Sequence, residues 1–115
     1  MTFELVDLED LGEKALQDFT QAVGQAQPGA AEAFDEAVSS LVTKVEFTYA
    51  VAAKLAHREA TLEGTAAIWS KMVTICDQMA AQVQRLEREH PGRQASLDRI
   101  LDLRNAAERR RDLHS

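Results

Sequence analysis

The chain has 115 residues, of which 45% are hydrophobic, so it can form one modest core. Its formal net charge is −6, so it has no overall attraction for phosphate. Only 5% of the residues are aromatic, and the single cysteine excludes an intramolecular disulfide and hence a disulfide-stapled secreted domain. No stretch reaches the roughly 20 apolar residues of a membrane span and the first residues lack a signal-peptide pattern, so we expect one cytoplasmic domain, residues 1–115, without membrane contact.

The first predicted helix covers about residues 8–26. Asp7 is its predicted N-cap, and Val6 is predicted to pack against Leu11 as a hydrophobic staple. A proline and a glycine at residues 28 and 29 end the helix, because proline disfavours helical geometry in the residue before it. The apolar residues have the spacing of one helical face: Leu8, Leu11, Ala15, Phe19, Ala22 and Ala26.

The second predicted helix covers about residues 30–63 and is about 50 Å long, at about 1.5 Å per residue. Its apolar residues cover more than half of its circumference, which is more than a surface helix of a monomer needs. We interpret the excess as an interaction surface formed by Phe47, Val51 and Leu62. The sequence therefore predicts that this helix contacts a second copy of the chain or another protein.

Gly64 separates helix 2 from the third predicted helix, which covers about residues 65–89 with Thr65 as its N-cap. Since one glycine costs a helix only about 1 kcal/mol, helices 2 and 3 could instead form one continuous rod of about 90 Å. We favour a hairpin, because the two helices have matching lengths and apolar faces. The apolar face of helix 3 consists of Ile68, Met72, Ile75, Met79, Val83 and Leu86.

The fourth predicted helix, about residues 94–113, is apolar only near its start, at Leu97, Ile100, Leu101 and Leu103. We expect its second half to be solvated, frayed or reserved for a partner. This half contains a candidate basic site for nucleic acid, which consists of Arg104, Arg109, Arg110 and Arg111. Interleaved acidic residues and the net charge of −6 oppose that use, so nucleic-acid binding is an alternative and is not the favoured function.

A groove between helices 2 and 3 is a further candidate site. Its residues are Tyr49, Trp69, Met72 and Met79. A surface rich in methionine can accept an apolar helix, and a cavity between the same residues could hold a small ligand. The same side chains also fit an ordinary helical core.

No group of residues predicts catalysis or metal binding. Glu87 and His90 have the spacing of a di-iron ligand pair, but the pair occurs once and such a site needs two copies. Cys76 falls on the apolar face of helix 3, where no histidine would activate it. Glu59 falls close enough to the turn at Gly64 to reach water. We therefore predict no catalytic residue, no metal ligand and no cofactor.

The sequence predicts an all-α fold, an up-and-down bundle of about four helices that is built on the hairpin of helices 2 and 3 and is dimeric. The favoured function is that of a non-enzymatic protein–protein interaction module, such as an adaptor, an accessory subunit or a chaperone-like helical binder. Its expected partners are a second copy of itself and another protein. The alternatives are a nucleic-acid-associated regulator that uses helix 4, and a small-ligand-binding or catalytic bundle.

Overall fold

The computed structural model describes residues 4–25, 31–85 and 92–114. These residues form four α-helices and contain no strand. The helices are α1 (Leu5–Gln25), α2 (Ala31–Arg58), α3 (Leu62–Gln84) and α4 (Arg93–His114). The predicted all-α fold is thereby confirmed.

Consecutive helices run in opposite directions. Ala22, near the end of α1, lines a crevice together with Ala37, near the start of α2. Residues 59–61 turn the chain directly from α2 into α3. Arg93, at the start of α4, donates a hydrogen bond to the carbonyl oxygen of Gln84, at the end of α3, over 3.0 Å. It follows that α1 and α3 are parallel, as are α2 and α4.

The central pair of the bundle is α2 and α3. Each of them contacts the other three helices, whereas α1 and α4 do not touch each other within the described residues. The bundle is therefore flattened, with Cα extents of 50 × 27 × 15 Å. All four helices contribute to its core, whose largest buried side chains include Leu8, Leu41, Trp69, Met72 and Ile100.

The first helix begins at Leu5, three residues before the predicted start. The cause is a cap one turn earlier: the Asp7 carboxylate accepts a hydrogen bond from the backbone N–H of Glu4 over 2.7 Å, and the Glu4 carbonyl accepts one from Leu8. Asp7 is thus inside the helix and is not its N-cap. Val6 is 54% exposed and forms no hydrophobic staple, which corrects the prediction.

The hairpin turn lies at residues 59–61 and not at Gly64, because α2 ends at Arg58. Thr61 is the N-cap of α3, and its Oγ1 accepts a hydrogen bond from the Gly64 N–H over 2.9 Å. The Glu59 carboxylate in turn accepts hydrogen bonds from the N–H and the hydroxyl of Thr61. Gly64 and Thr65 therefore belong to the first turn of α3, and the continuous rod is wrong.

The fourth helix continues through the half that was expected to be solvated or frayed. Ala107 is fully buried there, and Arg104 is only partly exposed. Through its side chains, this half packs on both α3 and α2. The predicted ends of helices 1 and 3, near residues 26–30 and 86–91, lie outside the described residues. Within the described residues, α3 ends at Gln84.

Candidate interaction surfaces

The structure separates the three residues of the predicted interaction surface. Phe47 is 52% exposed in the middle of α2, and Leu62 is 68% exposed in the first turn of α3. Val51 is only 2% exposed and belongs to the core. Val51 lies about 40° around the α2 axis from Phe47, which is enough to turn it from solvent into the interior. Val51 is therefore removed from the surface, and the other two residues belong to different surfaces.

Phe47 is the apolar centre of an exposed strip along α2, which we call the α2 outer face. The strip consists of Glu36, Ser40, Thr43, Phe47, Ala50 and Lys54, all of them exposed. Ion pairs border it on both sides: Lys44 binds Asp18 of α1 over 2.9 Å, and Glu46 binds Arg99 of α4 over 3.1 Å. The α2 outer face is thus a strip of this central helix that no other described helix covers.

Leu62 lies in a second apolar region at one end of the bundle, where the parallel helices α1 and α3 both begin. Leu5 and Val6 of α1 are also exposed there. A cleft of about 380 Å³ opens at the same end. Its lining residues are Glu4, Leu5, Leu55, Arg58, Glu59, Gly64, Ala67 and Ile68. We call Leu5, Val6, Leu62 and this cleft the apolar end.

The candidate groove between helices 2 and 3 is filled. Trp69, Met72 and Met79 are buried in the core, and Tyr49 is partly buried beside them. The rings of Tyr49 and Trp69 are 5.2 Å apart between centroids and are tilted by 50°, an arrangement that stabilises aromatic pairs. These four residues therefore pack in or against the core and fill the place of the predicted groove.

Arg110, one residue of the candidate basic site, contacts both members of that aromatic pair. The Arg110 guanidinium lies 5.2 Å from the Trp69 ring centroid, and its Nε donates a hydrogen bond to the Tyr49 hydroxyl over 3.1 Å. The sequence offered Arg110 as a cation for nucleic acid and Tyr49 and Trp69 as a groove. The contact that unites them joins α4 to both central helices, and no spacing along the chain reveals it.

The other arginines of the candidate basic site also have neighbours. Arg104 pairs with Asp77 over 3.0 Å and with Glu108, and the hydrogen bond that Arg104 donates to the Asp77 carboxylate raises the pKa of the guanidinium above its ordinary value. Arg111 lies 3.6 Å from Glu108. Arg109 is exposed, with no ion pair among the described residues. Two of the four cations, Arg104 and Arg111, are thus paired with acidic side chains, and Arg110 lies against the aromatic pair.

The thiol of Cys76 is fully buried in the core. Burial, with a smaller contribution from the charge of Asp77, raises its pKa from 9.0 to about 12. The thiol is therefore protonated at neutral pH, and it packs as a small apolar group.

The remaining candidates for site chemistry are Glu59 and possible metal ligands. The Glu59 carboxylate is exposed and is used in the turn, where it binds Thr61. Within residues 4–25, 31–85 and 92–114, no group of three or more His, Cys, Asp or Glu side chains could hold a metal ion. Glu87 and His90, the possible ligand pair, lie outside the described residues.

None of the helices, over the part of the chain that is described, is long and apolar enough to cross a membrane. The fold places the chain in the broad class of all-α four-helix bundles. Comparisons with protein-family models, with curated proteins and with solved structures found no match for this chain. Its function is therefore inferred from its own surfaces.

Proposed function

We propose that this chain is a non-enzymatic protein–protein interaction module of the cytoplasm, an adaptor, accessory subunit or chaperone-like helical binder. The observation that carries the proposal is the apolar end, where Leu5, Val6 and Leu62 are 38%, 54% and 68% exposed and an open cleft is lined by Leu5. The core is complete without these three side chains. Large apolar side chains that are exposed at one end of a small bundle are typical of a binding site for another protein.

The size and lining of the cleft suit a helical partner. Leu55 and Ile68 contribute apolar walls, and the cleft volume of about 380 Å³ has room for one or two side chains of an amphipathic helix. Full burial of a large apolar side chain contributes about 1.5 to 3 kcal/mol, from which the cost of association is subtracted. The apolar end therefore favours a moderate affinity that a few anchor residues dominate.

No specific observation favours the two alternatives. Arg104 and Arg111 are paired with acidic side chains, and Arg110 covers Trp69, so α4 presents no cluster of unpaired cations to a phosphate backbone. The side chains of Met72 and Met79 occupy the space that a ligand between α2 and α3 would need. The interaction module remains the function that the exposed surfaces support best.

A photo-cross-linking experiment tests the proposal. A photoreactive amino acid replaces Leu62 in one variant and Thr74 in a control, since Thr74 is also exposed on α3 but lies more than three turns from the apolar end. In a lysate of the source organism, we expect position 62 to give a discrete cross-linked protein that position 74 does not. Equal labelling at both positions, or none at position 62, would contradict the proposal.

A further inference from the structure

The α2 outer face has an internal symmetry. Glu36 and Lys54 are 18 residues apart, which is about five helical turns, so both lie on one line along α2. The midpoint between them is residue 45. Thr43 and Phe47 stand two residues to either side of this midpoint. A rotation of 180° about an axis that is perpendicular to the helix at the level of residue 45 therefore places Glu36 at the position of Lys54 and Lys54 at the position of Glu36.

Both charges at the ends of this strip are available for a partner. Glu36 and Lys54 are exposed, and neither has an ion-pair partner among the described residues. Lys44 and Glu46, which border the strip, by contrast form ion pairs with Asp18 of α1 and Arg99 of α4. The strip thus combines two unused charges of opposite sign with one large apolar side chain, Phe47, between them.

We propose that a second copy of this chain docks on the α2 outer face, with the two α2 helices antiparallel and a twofold axis at the level of residue 45. Glu36 of each copy then faces Lys54 of the other, which gives two equivalent ion pairs. Phe47 of each copy packs beside Thr43 of the other, and the small side chains of Ser40 and Ala50 allow the helices to approach closely. A twofold interface of this kind is self-complementary.

The charges also exclude the competing arrangement. If the two helices ran parallel in register, Glu36 would face Glu36 and Lys54 would face Lys54, and both contacts would be repulsive. The ion pairs therefore set the direction and register, and Phe47 supplies the apolar contact. This inference goes beyond the proposed function, because it names a second copy of the chain as the occupant of a different surface and does not depend on the apolar end.

Charge reversal tests the arrangement by sedimentation equilibrium of the full chain. Glu36→Lys and Lys54→Glu should each weaken the dimer by at least about tenfold, because each creates two repulsive contacts. The double variant Glu36→Lys/Lys54→Glu exchanges both signs and should restore the dimer. An equimolar mixture of the two single variants should form a heterodimer, since every facing pair in it is again of opposite sign.

Two further variants serve as controls. Glu13→Lys changes the net charge as Glu36→Lys does, but Glu13 is exposed on α1, so the dimer should be unaffected. Phe47→Asp should abolish the dimer while the helical circular dichroism is retained, because Phe47 is not part of the core. A wild-type chain that is monomeric at about 100 µM would overturn the inference, as would a double variant as weak as the single ones.

The two proposals can fail separately. If the chain is monomeric but position 62 still gives a discrete cross-link, the twofold contact is wrong and the interaction module stands. If the charge-reversal series behaves as expected but position 62 gives no cross-link, the self-association stands and the apolar end is not a binding site.

Discussion

Gly12 determines how closely α1 approaches α3. A Cβ atom at this position would lie 2.9 Å from Cγ1 and 3.0 Å from Cδ1 of Ile75. Ile75 is 3% exposed and branched at Cβ, so its side chain has little freedom to move aside. Glycine is thus required here by packing, although the backbone of α1 is regular.

We therefore expect alanine to have different effects at two glycines of α1. A Cβ atom at Gly24 would have no neighbouring atom within 4 Å, so Gly24→Ala should raise the free energy of unfolding by about 0.5 to 1 kcal/mol through helix propensity. Gly12→Ala has the same propensity gain but overpacks Ile75, which costs about 1 to 3 kcal/mol. Urea denaturation of the two variants measures the difference; equal stabilisation would show that α1 can shift without cost.

Burial of individual residues was predictable only where the helical face was unambiguous. In the predicted stripe of helix 1, Leu8, Ala15 and Phe19 are buried, whereas Leu11 is partly buried and Ala22, near the end of the helix, is exposed. Phe47 and Val51 are both at the edge of the apolar arc of α2, but Phe47 is exposed and Val51 is buried in the core. Periodicity gives the width of an apolar arc, but which edge is covered depends on where the neighbouring helices lie, and that information is not local in sequence.

For whole helices, the existence of each one was predictable and the ends were less so. The boundary between helices 2 and 3 was predicted at Gly64 because glycine often ends a helix, yet a glycine within a helix costs only about 1 kcal/mol. The Thr61 cap and the Glu59 carboxylate satisfy the backbone of the turn three residues earlier. The boundary was therefore decided by side-chain hydrogen bonds, which outweigh the propensity of a single residue.

The cap should be measurable by substitution. Thr61→Ala removes the acceptor of the Gly64 N–H and the hydroxyl that binds Glu59, so we expect the free energy of unfolding to fall by about 1 to 2 kcal/mol. Thr61→Ser keeps the hydroxyl and should lose much less. Thr74→Ala is a matched control within α3, because the Thr74 hydroxyl bonds only to the Ser70 carbonyl on the exposed side. If Thr61→Ala costs no more than Thr74→Ala in urea denaturation, the turn does not depend on this cap.

The packing of α4 shows what a single-helix pattern misses at the scale of the whole molecule. Its second half has few apolar residues, so the sequence predicted that it would be solvated or free for a partner. In the bundle this half lies against both central helices, and its polar side chains match what they face: Arg104 meets Asp77, and Arg110 meets Tyr49 and Trp69. Such pairing depends on two other helices and cannot be inferred from the hydrophobicity of α4 alone.

Truncation distinguishes a packed helix end from a free one. Removal of residues from 104 onward deletes the buried Ala107 and uncovers Trp69, so we expect the free energy of unfolding to fall by at least about 2 kcal/mol. The emission of Trp69, the only tryptophan, should shift to longer wavelength as water reaches the ring. Removal from Leu113 onward is the control, since Leu113 is 80% exposed, and it should change neither property. If both truncations behave alike, the second half of α4 is dispensable for the fold and is again available for a partner.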